Sequence, residues 1–82
     1  MYSLICVNED KEVVSVVVSE SKWELRKRMQ EEYEREIEDA LRSGYPMDEL
    51  DELSELNEEW AIVAVEDSWE YQWTIEEVNE VI

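Results

Sequence analysis

The sequence predicts an α+β fold: an antiparallel sheet of two hairpins in ββαββ order, packed on one long helix, with a short extra helical segment. Apolar and β-branched runs flank short polar segments near both ends of the chain, and the segment between them has helical periodicity. A length of 82 residues allows one domain. We expect residues 1–82 to form a single compact acidic unit.

The first hairpin is predicted from two apolar runs that flank a polar turn at residues 8–11. Residues 2–7 read YSLICV and residues 12–18 read EVVSVVV, which is typical of β-strands. The second run is apolar on both faces, so we expect it inside the sheet or against a partner. Cys6, the lone cysteine, is interpreted as an apolar strand residue.

A helix is predicted from residue 21 to about residue 43 by signals at both ends. Ser21 and Glu24 match the capping box, Gly44 stands where a left-handed residue ends many helices, and Pro46 prevents continuation. Together with Ala40, the helix should bury the side chains that recur every four residues: Leu25, Met29, Tyr33, Ile37 and Leu41. Its opposite side should carry three i,i+4 ion pairs: Glu24–Arg28, Glu31–Arg35 and Glu38–Arg42.

After the proline, apolar residues recur at every third position over residues 47–57, which predicts a short helical segment over the core. Leu50 and Leu53 are expected to pack there. A second hairpin follows, with strands at residues 60–65 and 69–76, and the last strand alternates between apolar and polar residues. The predicted core comprises Leu4, Val14, Val16, Leu25, Met29, Tyr33, Ile37, Ile62, Trp69, Tyr71 and Trp73.

The composition excludes several classes of function. The chain has no histidine and one cysteine, so it lacks the commonest general base and the commonest ligands of transition metals. We expect no enzyme activity, no cofactor and no metal. The longest apolar run is six residues, Trp60 to Val65, and no signal peptide is evident, so we expect a cytoplasmic protein without membrane contact. A net charge of −17 opposes direct binding to nucleic acid, so the partner should be neutral or basic.

Charge is divided unevenly along the chain. Residues 1–45 hold 11 acidic and all 7 basic residues, whereas residues 46–82 hold the other 13 acidic residues and no basic one. Because nothing in the second half is neutralised locally, its carboxylates are the candidate partner-binding residues. They are Asp48, Glu49, Asp51, Glu52, Glu55, Glu58, Glu59, Glu66, Asp67, Glu70 and Glu76.

Several interpretations compete for these carboxylates. Calcium binding is disfavoured because the spacing of the EF-hand loop and its glycine are missing. Paired-carboxylate catalysis needs a pocket of which the sequence gives no sign. Adaptation to a salt-rich cytoplasm is disfavoured because Glu outnumbers Asp 19 to 5. A surface that imitates the phosphate charge of DNA and a solvated face kept acidic for solubility both stay open.

In its size, its predicted α+β architecture and its unneutralised stretch from Asp48 to Glu80, the chain resembles small acidic proteins that phages and other mobile elements make against bacterial defence. These include anti-CRISPR proteins and DNA-mimicking anti-restriction proteins. The resemblance carries no diagnostic motif, so no family residue is transferred. It implies a stoichiometric inhibitor in the cytoplasm of a bacterial host, which occupies the basic nucleic-acid-binding groove of a nuclease or CRISPR effector.

The alternative comes from another class of protein. The apolar strand faces could belong to a small structural or adaptor domain of a mobile element that self-associates or binds a protein partner. Both a monomer and a homodimer are compatible with the sequence. Binding through charge should weaken steeply with salt, whereas apolar association should not.

Overall fold

A computed structural model of the protein describes residues 1–65 and 68–78, which form five strands and two helices. The predicted α+β class with an antiparallel sheet is confirmed. The sheet has five strands instead of four, because a two-residue strand follows the short helix and pairs with the next strand. In chain order the elements are β1 (Tyr2–Asn8), β2 (Val13–Ser19), α1 (Lys22–Arg42), α2 (Met47–Leu53), β3 (Glu55–Leu56), β4 (Trp60–Val65) and β5 (Ser68–Glu77).

The strand order in the sheet is β2-β1-β5-β4-β3, and every neighbouring pair is antiparallel. The first strand therefore pairs with the last, and this pairing joins the two hairpins into one sheet. Both helices pack on the same face of the sheet, where Leu25 of α1 and Leu50 of α2 enter one core. The molecule measures 17 Å along its shortest axis, which agrees with one helix layer on one sheet layer.

Both ends of α1 follow the sequence signals. The Ser21 Oγ accepts a hydrogen bond from the Glu24 N–H at 3.3 Å, as the capping box requires. In a full capping box the Glu24 carboxylate would accept a hydrogen bond from the Ser21 N–H. Here it accepts one from the Ser19 hydroxyl instead. At the other end, Gly44 has a φ of 101°, and the Tyr45 N–H donates to the carbonyl of Ala40 at 3.2 Å. This is a Schellman ending, which Gly44 permits because it has no Cβ.

The core lies between α1 and the inner face of the sheet. Trp73 is at its centre, 1% exposed, with the rings of Tyr33 and Tyr71 at centroid distances of 6.3 and 5.9 Å. Of the predicted core, four residues are buried: Leu4, Leu25, Met29 and Trp73. Three more pack against it while partly exposed: Tyr33, Ile37 and Tyr71. Other buried residues lie outside that predicted set: Cys6, Ala40, Leu50, Ala61, Val63, Val65 and Ile75. Of these, the helical patterns indicate Ala40 and Leu50.

The prediction that Val14 and Val16 belong to the core is wrong, since they are 54% and 56% exposed. Cys6 pairs with Ser15 while Val7 pairs with Val13, so Val14 is an extra residue that bulges from β2. The bulge changes which face the strand residues occupy on its two sides. Val17 lies opposite the buried Leu4 and packs against the core, whereas Val16 lies opposite Ile5 on the other face.

The predicted burial of Ile62 and Trp69 in the core is also wrong, because both are only partly buried and lie outside it. Val63 pairs with Tyr71 whereas Ala64 pairs with Trp69, so Glu70 is the extra residue of a second bulge. Cross-strand partners share a face. Trp69 therefore lies with Ile62 and Ala64 on the face away from the helices.

Two expectations for the helices need correction as well. At the end of α1, Ala40 is buried whereas Leu41 is 38% exposed, because a four-residue step drifts around a helix of 3.6 residues per turn. In α2, Leu50 is fully buried as predicted, but Leu53 is 39% exposed. The short α2 lies over β4, and Leu53 is its last residue.

We expect the Trp73→Ala substitution to lower the free energy of unfolding by about 3–5 kcal/mol, because it leaves a large cavity at the centre of the core. Trp73→Phe should lower it less, since it keeps a ring and removes an indole N–H that has no hydrogen-bond partner among the described residues. Trp23→Ala is the control, because Trp23 is 66% exposed. Urea unfolding measures all three, and equal losses for Trp73→Ala and Trp23→Ala would contradict the assigned core.

Candidate acidic binding surface

Five of the predicted carboxylates come together where α2 leads into β3. We call this group the acidic edge; it consists of Asp48, Glu49, Asp51, Glu52 and Glu55. Leu50 fixes α2 to the core, and the pairing of Glu55 with Ile62 fixes β3 at the end of the sheet. All members except Glu49 are exposed. The local fold therefore holds a run of carboxylates on a supported surface.

The acidic edge is poor in counter-charge. The ion pairs identified in the described part of the chain include none to Asp48, Asp51, Glu52 or Glu55. The field of the edge also acts on its surroundings. The pKa of Tyr33 is raised, first by burial and then by the charges of Asp51 and Glu55. The edge thus produces a negative potential that extends toward the middle of α1.

Two predicted members of the unneutralised set are in fact paired, which corrects the expectation that nothing in the second half is neutralised. Glu59 lies 3.4 Å from the Lys22 ammonium, and Glu58 lies 3.5 Å from the Arg26 guanidinium. Arg26 also donates to the Glu58 carbonyl at 3.1 Å. The turn between β3 and β4 reaches the start of α1. The sequence offered one signal, since Lys22 and Arg26 have no acidic residue four positions away on the helix.

The ion pairs on α1 itself agree only in part with the prediction. Arg42 lies 3.9 Å from Glu38, as predicted, and 3.7 Å from Asp39. Arg28 pairs with Glu32 at 3.5 Å, not with Glu24. The predicted pair of Glu31 and Arg35 is likewise not among the ion pairs found between described residues. These pairs are mostly exposed and each stabilises the fold by a few tenths of a kcal/mol at most.

Glu70 belongs to a second acidic group, at the end of the sheet where β1 turns into β2. There a cavity of about 320 Å³ is lined by Asn8, Glu9, Asp10, Glu36, Glu70 and Tyr71. The sequence could not indicate this group, because its four carboxylates come from three separate segments. The bulge at Glu70 is what gives its side chain a place near Glu36.

Crowding of like charges affects the titration of this second group. The pKa of Glu36 is raised, mainly by partial burial and then by the charges of Asp39 and Glu70. The nearby Arg35 lowers it, and Glu32 raises it slightly. The pKa of Tyr71 is raised by Glu36 first and by burial second. The cluster therefore stores repulsion, which protonation of Glu36 relieves.

The remaining predicted residues do not join the acidic edge. Glu76 lies near the far end of β5 opposite Ser3 and is exposed. Glu66 and Asp67 lie outside the described residues. The nine predicted residues that the structure describes therefore comprise one supported group of five, two ion-paired residues and two separate positions on β5.

Metal-ligating clusters and the thiol of Cys6 are two further features to consider in the described residues. Within residues 1–65 and 68–78, no cluster of three or more acidic, cysteine or histidine side chains is arranged to hold a metal ion. Cys6 is confirmed as a buried strand residue, and burial, followed by the charges of Glu32 and Glu36, raises the pKa of its thiol to about 11. The thiol is thus protonated near neutral pH and a poor nucleophile. None of the described helices is long and apolar enough to cross a bilayer.

We expect Glu36→Gln to raise the melting temperature at pH 7. Because the pKa of Glu36 is raised in the folded state, its contribution to stability is lost as pH rises through that pKa and regained as pH falls toward 5. The variant should therefore also show a smaller increase in melting temperature between pH 7 and pH 5. Glu20→Gln, at an exposed position outside the cluster, should leave that increase unchanged. Identical pH profiles for wild type and Glu36→Gln would refute the assignment.

Comparisons with protein-family models, with curated protein sequences and with solved structures each gave no match.

Proposed function

We propose that the protein is a stoichiometric inhibitor that binds a basic nucleic-acid-binding groove on another protein, such as a nuclease or CRISPR effector, through the acidic edge. The observation that carries this proposal is the placement of Asp48, Asp51, Glu52 and Glu55 on one supported surface without an identified counter-ion. Repulsion within such a group opposes folding. A basic partner would turn the same charges into a favourable contact.

The dimensions of the molecule support charge mimicry. Its longest axis is 48 Å, and duplex DNA of that length carries about 28 phosphate charges, at one per 1.7 Å. The chain carries 24 carboxylates and a net charge of −17, so it approaches duplex charge in the same length. All the basic residues precede residue 43, and two of them already neutralise Glu58 and Glu59. The surface formed by α2 and β3 therefore presents four exposed carboxylates with no ion pair identified among the described residues.

The triple variant Asp51→Lys, Glu52→Lys and Glu55→Lys tests the proposal. It changes the charge of the acidic edge by six units and leaves Leu50 and the core untouched. We expect it to weaken binding to the basic partner at least about 100-fold, since like charges that face each other across an interface cost several kcal/mol. The wild type immobilised at low salt captures the partner from a bacterial lysate. Release of that partner by a short DNA duplex measures competition for the same groove.

The matched control is Glu31→Lys, Glu34→Lys and Glu38→Lys, which changes the charge by the same six units on the exposed side of α1. It should keep most of the affinity. Equal losses for the two triple variants would show that total charge matters and location does not. Full binding by the first variant, or a captured partner that DNA does not displace, would reject the proposal.

A further inference from the structure

The face of the sheet that lies away from the helices is uncovered by any described helix. We call it the open face. From the strand register it consists of Val13, Val16 and Val18 of β2, Ser3, Ile5 and Val7 of β1, Trp69, Gln72, Thr74 and Glu76 of β5, Trp60, Ile62 and Ala64 of β4, and Glu55 of β3. Only Glu55 and Glu76 carry charge, and both stand at the rim.

This lack of charge is unusual for the chain. Charged residues make up 38% of the sequence. In an antiparallel sheet with one solvated face, the residues on that face are normally polar. Here Val13, Val16 and Val18 are 61%, 56% and 52% exposed, and Trp60 is 40% exposed. Apolar patches of this kind mark interaction surfaces. Tryptophan is also among the residues enriched at such surfaces.

We infer that the open face binds the open face of a second copy of the chain. A partner must be uncharged at the contact, because a charge buried there without a counter-ion costs several kcal/mol. A second copy supplies such a face. Two sheets that pack in this way, about 10 Å apart, form the core of a β-sandwich. The helices, with the α2 carboxylates of the acidic edge, would then lie on the outer sides of a symmetric dimer, and Glu55 would stand at the rim of the contact.

The area of the open face is close to what a specific contact needs. Four strands about 4.8 Å apart, each with about six residues rising about 3.3 Å, give roughly 400 Å² in projection. The relief of the side chains increases the accessible area beyond this value. The accessible area therefore approaches the roughly 600 Å² per partner at which specific interfaces begin.

Pairing of the exposed β2 edges in the register centred on Val16 is a less favourable way to associate. If two β2 strands paired antiparallel about Val16, Glu12 of one copy would lie opposite Glu20 of the other, because both are four residues from Val16. Like charges directly opposite each other destabilise strand pairing. Packing of one open face on another avoids this contact and buries Trp60, which lies on β4, three strands away from β2.

Sedimentation equilibrium of the purified protein tests the inference, which needs no other partner and whose surface shares only Glu55, at its rim, with the acidic edge. The wild type should reach twice its chain mass of 9.9 kDa. Val16→Lys and Trp60→Lys should each weaken association about 100-fold or more, although both reduce the net negative charge. Trp23→Lys, on exposed α1, should leave association unchanged. Added salt should strengthen the dimer by screening repulsion, whereas it should weaken binding through the acidic edge.

Three results would overturn the inference. One is a wild-type protein that stays monomeric up to about 1 mM, which corresponds to a binding free energy weaker than about −4 kcal/mol. Another is loss of the dimer in Val16→Lys but not in Trp60→Lys, which would indicate edge pairing of β2. The third is equal loss in Trp23→Lys. Circular dichroism confirms folding of each variant, and Val16→Thr, nearly isosteric, should still weaken the dimer if Val16→Lys does not fold.

Discussion

The antiparallel pairing of β1 with β5 is the contact on which the rest of the structure depends. It runs from Tyr2 opposite Glu77 to Asn8 opposite Tyr71 and joins two hairpins that would each be marginal alone. It also sets Cys6 beside Trp73, and α1 can bury its apolar face only on the continuous surface that results. The acidic edge and the open face are both consequences, because they are the end and the far side of this sheet.

The fold class and the ends of α1 could be predicted from the sequence, because hydrophobic periodicity and capping residues act locally. The two bulges could not, since nothing in the local pattern marks Val14 or Glu70 as an extra residue. A single bulge reverses the face of the residues beyond it, which is why Trp69 lies on the opposite face from Tyr71. Val16 has a different reason: residues 13–18 are apolar at both alternating sets of positions apart from Ser15, so the pattern does not show which set faces the core. In β5, the alternation of the sequence predicts the buried face correctly for Tyr71 and Trp73, but not for Trp69 on the other side of the bulge.

Part of the candidate site could also be predicted from the sequence. Composition placed the negative charge after Pro46, and α2 with β3 brings five of those carboxylates together. The pairing of Glu58 with Arg26 required knowledge of where the β3–β4 turn meets α1, which is a tertiary contact. The cluster of Glu36 and Glu70 likewise depends on distant segments. Local sequence thus indicates how much charge a segment carries, and only the fold decides which charges remain unpaired.

The central position of β5 has a consequence for how the chain folds during synthesis. Its partner β1 leaves the ribosome first, but the residues that pair, such as Tyr2 and Glu77, are separated by nearly the whole chain. A contact of such long range is slow to form, because most of the chain must be closed into a loop first. Until then the valine-rich β1–β2 hairpin has no neighbour on one side, which is the condition in which strands aggregate. At a net charge of −17 per chain, the repulsion grows with every chain that joins, so acidity opposes large aggregates of incomplete chains far more than it opposes a pair of folded ones.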